Sequence, residues 1–170
     1  MHVTILADAS HCPTTKAAGY GFWIASGRGK WVGHGALRGR IATSTQAEMM
    51  AVVNALHTAI VRQLVAQEDV VLMQIDCLAA IDAFNRARQL SKEEVKVVDH
   101  YDKLCKAHRL VVMFRHVKAH TGKGGSRFVS NSHCDKSAKK EMRRQRGRFI
   151  CEDALKLLRG ENETNARRGL

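Results

Sequence analysis

The run Val3-Thr4-Ile5-Leu6-Ala7-Asp8 constrains this chain more than any other stretch. Side chains alternate across a strand, so Val3, Ile5 and Ala7 point one way and Thr4, Leu6 and Asp8 the other. The pattern predicts a strand with a core under one face and a carboxylate where the apolar run stops. Alone, an Asp shortly before Ser10 and Pro13 would equally suit the opening of a turn. Its meaning depends on what the rest of the chain brings to the same place.

Two further β-type runs follow, Gly19 to Ser26 and Lys30 to Leu37, joined through Gly27-Arg28-Gly29. Short glycine-containing connections favour an antiparallel meander. Thr43-Ser44-Thr45 then announces a helix to about Leu64, with Met49, Val52, Val53, Leu56 and Ile60 at helical spacing. Glu48 is expected in its first turn, where Thr45-x-x-Glu48 fits a capping box. Val70 to Asp76 reads as a strand buried on both faces, again ending in an acid, and Cys77 to about Arg88 as a helix for which Asp76 would serve as N-cap. Ser91 caps a packing helix to about His108, with Val95, Val98, Tyr101, Leu104 and Cys105 in one stripe. Leu110 to Val117 is a last strand. A glycine- and serine-rich loop from Lys118 to Ser132 leads to a helix beginning near His133-Cys134-Asp135, where Ser132-x-x-Asp135 repeats the capping-box pattern. From Arg143 the apolar periodicity weakens, although Phe149, Ile150, Ala154, Leu155, Leu157 and Leu158 would suit a short amphipathic helix. Beyond Gly160 the polar tail is expected to lack order.

With 170 residues, 45% of them apolar, the chain can bury one core as a single domain. No segment approaches the roughly 20 apolar residues of a membrane span, and the N-terminus lacks the plan of a secretion signal. A cytoplasmic protein without membrane association is expected, and a monomer. Five cysteines, never spaced Cys-x-x-Cys, predict reduced thiols. The net charge of +12 is uneven. Residues 9 to 47 carry Lys16, Arg28, Lys30, Arg38 and Arg40 and no acid, and between 136 and 148 seven Lys and Arg face only Glu141. One-signed clusters of this kind suit a phosphate backbone, since each neutralised phosphate releases counterions.

Taken together, Ala7-Asp8-Ala9-Ser10 with Gly19-Tyr20-Gly21, Thr43-Ser44-Thr45-Gln46-Ala47-Glu48, Gln74-Ile75-Asp76, and Val117-Lys118-Ala119-His120-Thr121-Gly122 with Asn131-x-x-x-Asp135 resemble the ordered motifs of the ribonuclease H family. The resemblance spans roughly residues 1 to 145. It implies an α/β fold of the RNase H-like type: a five-stranded mixed sheet, three antiparallel strands first and parallel additions after, flanked by helices. Residues 1–145 would form the catalytic domain and 146–170 a basic extension, partly helical and then disordered.

By the same resemblance Asp8, Glu48 and Asp76 match the three core carboxylates, Asp135 the fourth, and His120 the loop histidine that assists turnover. The acids would bind two magnesium ions, with manganese able to substitute, and the enzyme would cut the RNA strand of RNA/DNA hybrids, leaving 5'-phosphate and 3'-hydroxyl ends. Hard oxygen ligands suit magnesium, and an imidazole titrating near neutrality can carry a proton. Ser10, Ser44, Thr45 and Gln46 are the donors expected to meet the 2'-hydroxyl, and Asn131 to orient the loop or a water. The family often has Gly after its first Asp, where this chain has Ala9, and several members carry a basic handle where only Gln89-Leu90-Ser91 stands here. Arg143, Arg144 and Arg146 are the expected replacement for that handle. Two other functions fit the same acids less closely: a structure-selective DNA nuclease of the junction-resolvase kind, and a silent nucleic-acid-binding protein.

Overall fold

The computed structural model describes residues 1–117 and 126–168, and the side chains of all these except 126–129 and 160–168. Nine elements follow one another: β1 (His2–His11), β2 (Ala18–Ser26), β3 (Gly29–Ala36), α1 (Ser44–Val61), β4 (Val70–Ile75), α2 (Leu78–Phe84), α3 (Lys92–Ala107), β5 (Val111–His116) and α4 (Ser126–Arg168). The sheet order is β3-β2-β1-β4-β5. β1, β2 and β3 are antiparallel neighbours, while β4 and β5 add in parallel, as the sequence order predicts.

Alternation divides the sheet into two faces. Val3, Ile5 and Ala7 of β1, Phe22 and Ile24 of β2, and Val71, Met73 and Ile75 of β4 are buried in one core with α1. α1 can lie close because Ala51, Ala55 and Ala59 alternate with Val52 and Leu56 along its buried face. α3 packs against α1 and buries Val98 and Tyr101, the latter against Phe84 of α2 and Phe114 of β5, whereas Val95 is exposed. Ser91 caps its N-terminus as expected, and the structure completes a capping box there: the Ser91 hydroxyl accepts from Glu94 N–H and the Ser91 amide donates to the Glu94 carboxylate.

α4 covers the opposite face, against β1, β2 and β3. Two glycines seat it. A Cβ on Gly19 would lie 2.4 Å from Ala138 O, and one on Gly21 2.5 Å from Cys134 O, so the helix backbone rests directly on β2. Its buried stripe is Cys134, Ala138, Glu141, Gln145 and Phe149. Gln145 closes the end of the β2–β3 ladder, accepting from Ala18 N–H at 2.8 Å and donating to Leu37 O.

Four local expectations change. α4 begins at Ser126, inside the expected loop, so Ser132 is an interior helical residue and caps nothing. The backbone stays helical to Arg168, past Gly160, because Lys, Arg, Glu and Ala favour helix and no proline interrupts. Phe149 is buried, but Ile150, Leu155, Leu157 and Leu158 are exposed. α2 stops at Phe84 rather than near Arg88, since Asn85 caps it and Arg86 turns to φ 55°. All five cysteines are free, and among the described residues no helix is long and apolar enough to cross a membrane.

Candidate active site

β1 and β4 stay paired only as far as Leu6↔Gln74, and Asp8 and Asp76 each lie two residues beyond that pair. Asp8 is therefore not at the end of its strand, as expected, but inside it, since β1 continues against β2 to His11. What ends near Asp8 is the parallel neighbour. Ligands in open α/β sheets bind at such carboxyl ends, where strands part. Glu48 enters the gap from α1 and accepts the Ala9 N–H at 3.1 Å, in place of a strand neighbour.

The structural roles that these acids might have had are taken by other residues. Thr43, not Thr45, is the N-cap of α1; its side chain accepts from Gln46 N–H, and Gln46 Oε1 accepts from Ala42 N–H at 2.9 Å. Glu48 thus lies past the first turn and makes no capping box. α2 is capped at Cys77, not Asp76. With capping done elsewhere, Asp8, Glu48 and Asp76 converge: one ligand oxygen from each lies within 4.8 Å of the others.

Such a group resists ionisation. Asp8 is only 6% exposed, and burial first, then the charges of Asp76 and Asp135, push its pKa up to about 7. Burial raises Glu48 well above the usual carboxylate range, with Asp8 and Asp76 adding to it and the Ala9 amide opposing. Asp135 stands apart from the compact group, bonded to Lys139 at 2.8 Å one turn along α4, yet its charge reaches both Asp8 and Glu48. Hard oxygen donors gathered at close range with little neutralising charge fit a divalent cation. Cys134 packs beneath, its thiol pushed up to about 12 by burial and by Asp8.

The remaining expected residues are distributed around this centre. Ser10 follows on β1 beside Gly19, Ser44 and Thr45 open α1, and Gln46 is buried with its side-chain oxygen engaged. Asn131 is half-buried within α4 rather than in a loop. Arg143, Arg144 and Arg146 are exposed, Arg144 lying 3.6 Å from Glu141. His120 lies outside the described residues, as do Gly122, Gly124 and Gly125. Sequence reasoning missed His116, whose Nε2–H donates to Asp76 O at 3.0 Å, and a cleft of about 450 Å³ between the segment before α1, α1 itself and α3. Arg38, Arg40, Gln46, Lys96 and His100 are among its lining residues. The cleft joins residues more than 50 positions apart, so no local motif signals it.

A family model described as RNase H matches residues 1–143. No curated protein matches the chain. Among solved structures, the N-terminal RNase H domain of rv2228c from Mycobacterium tuberculosis, solved as a fusion with maltose-binding protein, is 22% identical with a TM-score of 0.64, over 85% of this chain and 95% of that one. RNase H1 from the halophilic archaeon Halobacterium salinarum NRC-1 is 19% identical at 0.64, over 84% and 98%. LC11-RNase H1, solved in complex with an RNA/DNA hybrid, is 14% identical at 0.65, over 84% and 97%. At these identities the likeness to the solved structures is one of fold.

Proposed function

The chain belongs to the RNase H family, and on that premise we propose that it is a metal-dependent endoribonuclease that hydrolyses the RNA strand of RNA/DNA hybrids. The observation that carries this is the convergence of Asp8, Glu48 and Asp76 within 4.8 Å at the parted ends of β1 and β4. A fold-mate, LC11-RNase H1, has been solved with such a hybrid, which supports the substrate class.

Asp8, Glu48 and Asp76, with Asp135 completing the set, would hold two magnesium ions, or manganese in their place. When bound, these would lower the pKa of the attacking water and stabilise the departing oxygen, the chemistry that in-line attack at phosphorus with 5'-phosphate and 3'-hydroxyl products requires. The chain's own part is to fix the acids. β1 and β4 set Asp8 and Asp76 level, and the Ala9 amide holds Glu48. Lys139 partly balances Asp135. His120, by its match to the family's loop histidine, would assist turnover by carrying a proton.

Substrate recognition is assigned to the rim. Ser10 on β1 and Ser44, Thr45 and Gln46 on α1 would meet the 2'-hydroxyl, and Asn131 on α4 would orient a water. Exposed Arg143, Arg144 and Arg146 on α4, and Arg38, Arg40 and Lys96 lining the cleft beside α1, would take phosphates. The test is cleavage of end-labelled RNA/DNA hybrid, duplex DNA, duplex RNA and a four-way DNA junction in magnesium, manganese or chelator. Cutting of the hybrid's RNA strand alone is expected. Cutting confined to the junction would transfer the assignment to a resolvase, and binding without cutting to a silent nucleic-acid-binding protein.

A further inference from the structure

Asp76 stands on backbone that has left the sheet. β4 ends at Ile75, whose carbonyl still receives Val117 N–H at 2.9 Å. The next carbonyl, that of Asp76, lies beyond the last β4–β5 pair, Ile75↔His116. It receives a side chain instead: the exposed His116 donates its Nε2–H to Asp76 O at 3.0 Å. α2 gives the junction little help, since its N-cap Cys77 makes no side-chain capping bond.

A restraint here matters because the acids repel one another. One oxygen each from Asp8, Glu48 and Asp76 lies within 4.8 Å of the others, and like charges held that close push apart. A bond that pins the Asp76 peptide to β5 resists that push and keeps the carboxylate aimed at the gap.

We propose that His116 is a positioning residue of the acid cluster: its bond to Asp76 O fixes the main chain from which the Asp76 carboxylate meets Asp8 and Glu48, and so sets the cluster's affinity for a divalent cation. This rests on the proposed function only in requiring that the cluster bind such a cation. His116 acts through Asp76 and touches no reacting atom. Its exposure makes substitution compatible with folding. His116→Phe keeps a ring but loses the donor, and His116→Gln restores a donor of similar reach.

The test is manganese binding by titration calorimetry on the full chain at pH 8, without nucleic acid. His116→Phe should weaken binding about three- to tenfold, the size of one lost hydrogen bond. His116→Gln should stay within about twofold of the unsubstituted protein. The thermal midpoint in chelator should not move in either variant, nor should hybrid binding in chelator. Equal affinity in His116→Phe overturns the proposal, as does equal weakening in both variants, which would show that a donor at this position does not restore affinity. Normal manganese affinity with lost cleavage in His116→Phe overturns it too, placing His116 on the substrate. If the unsubstituted protein binds no manganese, the proposed function falls as well, so the two failures are distinguishable.

Discussion

The amide of Ala9 donates to Glu48 Oε2 at 3.1 Å, tying α1 to β1 where β4 no longer accompanies it. This bond opposes the burial and repulsion that raise Glu48. Glu48→Gln keeps an acceptor for Ala9 and removes the charge, so in chelator at pH 8 it should stabilise the fold by on the order of 1–2 kcal/mol. Glu48→Ala removes the charge and the acceptor together, and leaving the amide without its partner costs about 1–3 kcal/mol. Urea denaturation should therefore rank Glu48→Gln above the unsubstituted protein and Glu48→Ala below Glu48→Gln. A Glu48→Gln variant less stable than the unsubstituted protein would contradict this account of the bond.

Stability should also depend on pH in a direction opposite to that of a salt-bridged acid. Asp8 has its pKa raised from near 4 to about 7, and Glu48 is raised too. The folded state then holds protons that the unfolded chain has lost, so stability in chelator falls as pH rises from about 4 to 7, by on the order of a few kcal/mol. Magnesium should shrink that fall by binding the ionised acids. Glu94, held down to about 2 by Arg88, and Asp69, held lower still by Arg28, lose their contribution only as pH drops below about 4. The two windows are therefore separable in a thermal-melt series from pH 3 to 8. Stability rising between pH 4 and 7 in chelator would contradict the arrangement of the acids.

Much of this was legible before any coordinates. The antiparallel start of the sheet and its parallel additions follow from the alternating runs and the strand-then-helix order, whereas the choice of Asp8, Glu48, Asp76 and Asp135 as a set rests on the resemblance to the ribonuclease H family. Capping was less legible. Thr43, Ser44 and Thr45 are all competent caps, and the choice of Thr43 depends on its extended backbone, φ −136° and ψ 159°, which local sequence does not dictate. The same ambiguity had offered Glu48, Asp76 and Asp135 structural roles that other residues or the continuous α4 made unnecessary. The weak periodicity after Arg143 has a concrete cause. Gln145 occupies a buried position of the α4 stripe, satisfied by the ends of β2 and β3, as Glu141 does one turn earlier with His34, and beyond Phe149 the apolar residues Ile150, Leu155, Leu157 and Leu158 are exposed, so no apolar stripe can be read there.

Gly21 is a site where one methyl group should reach the acids. A Cβ there would lie 2.5 Å from Cys134 O and 3.1 Å from Ser137 Cβ, so α4 would have to lift away and carry Asp135 with it. Gly21→Ala is expected to destabilise by about 1–3 kcal/mol, the range for overpacking, and to lower cleavage more than the lost folded fraction explains. Unchanged stability and activity would show that α4 is not seated on this glycine.

The basic face of α4 can be tested by salt. Arg143, Arg144 and Arg146 are exposed, and Arg144 is partly balanced by Glu141. Replacing all three by Gln should weaken hybrid binding at every salt concentration and flatten the dependence of log Kd on log salt by roughly 2–3, about one for each lost phosphate contact. An unchanged slope would remove these residues from the substrate path.

The most direct test of the central claim compares the unsubstituted protein with Asp76→Asn on a hybrid whose RNA strand is end-labelled, in magnesium. Asparagine keeps the shape of the side chain while removing the charge that Asp76 brings within 4.8 Å of Asp8 and Glu48. Cleavage of the RNA strand by the unsubstituted protein, lost by at least roughly 10²-fold in the variant while hybrid binding in chelator stays equal, is the predicted result; a loss that large corresponds to about 2.7 kcal/mol of transition-state stabilisation. Cleavage by Asp76→Asn at the rate of the unsubstituted protein would show that the reaction runs elsewhere than through these carboxylates.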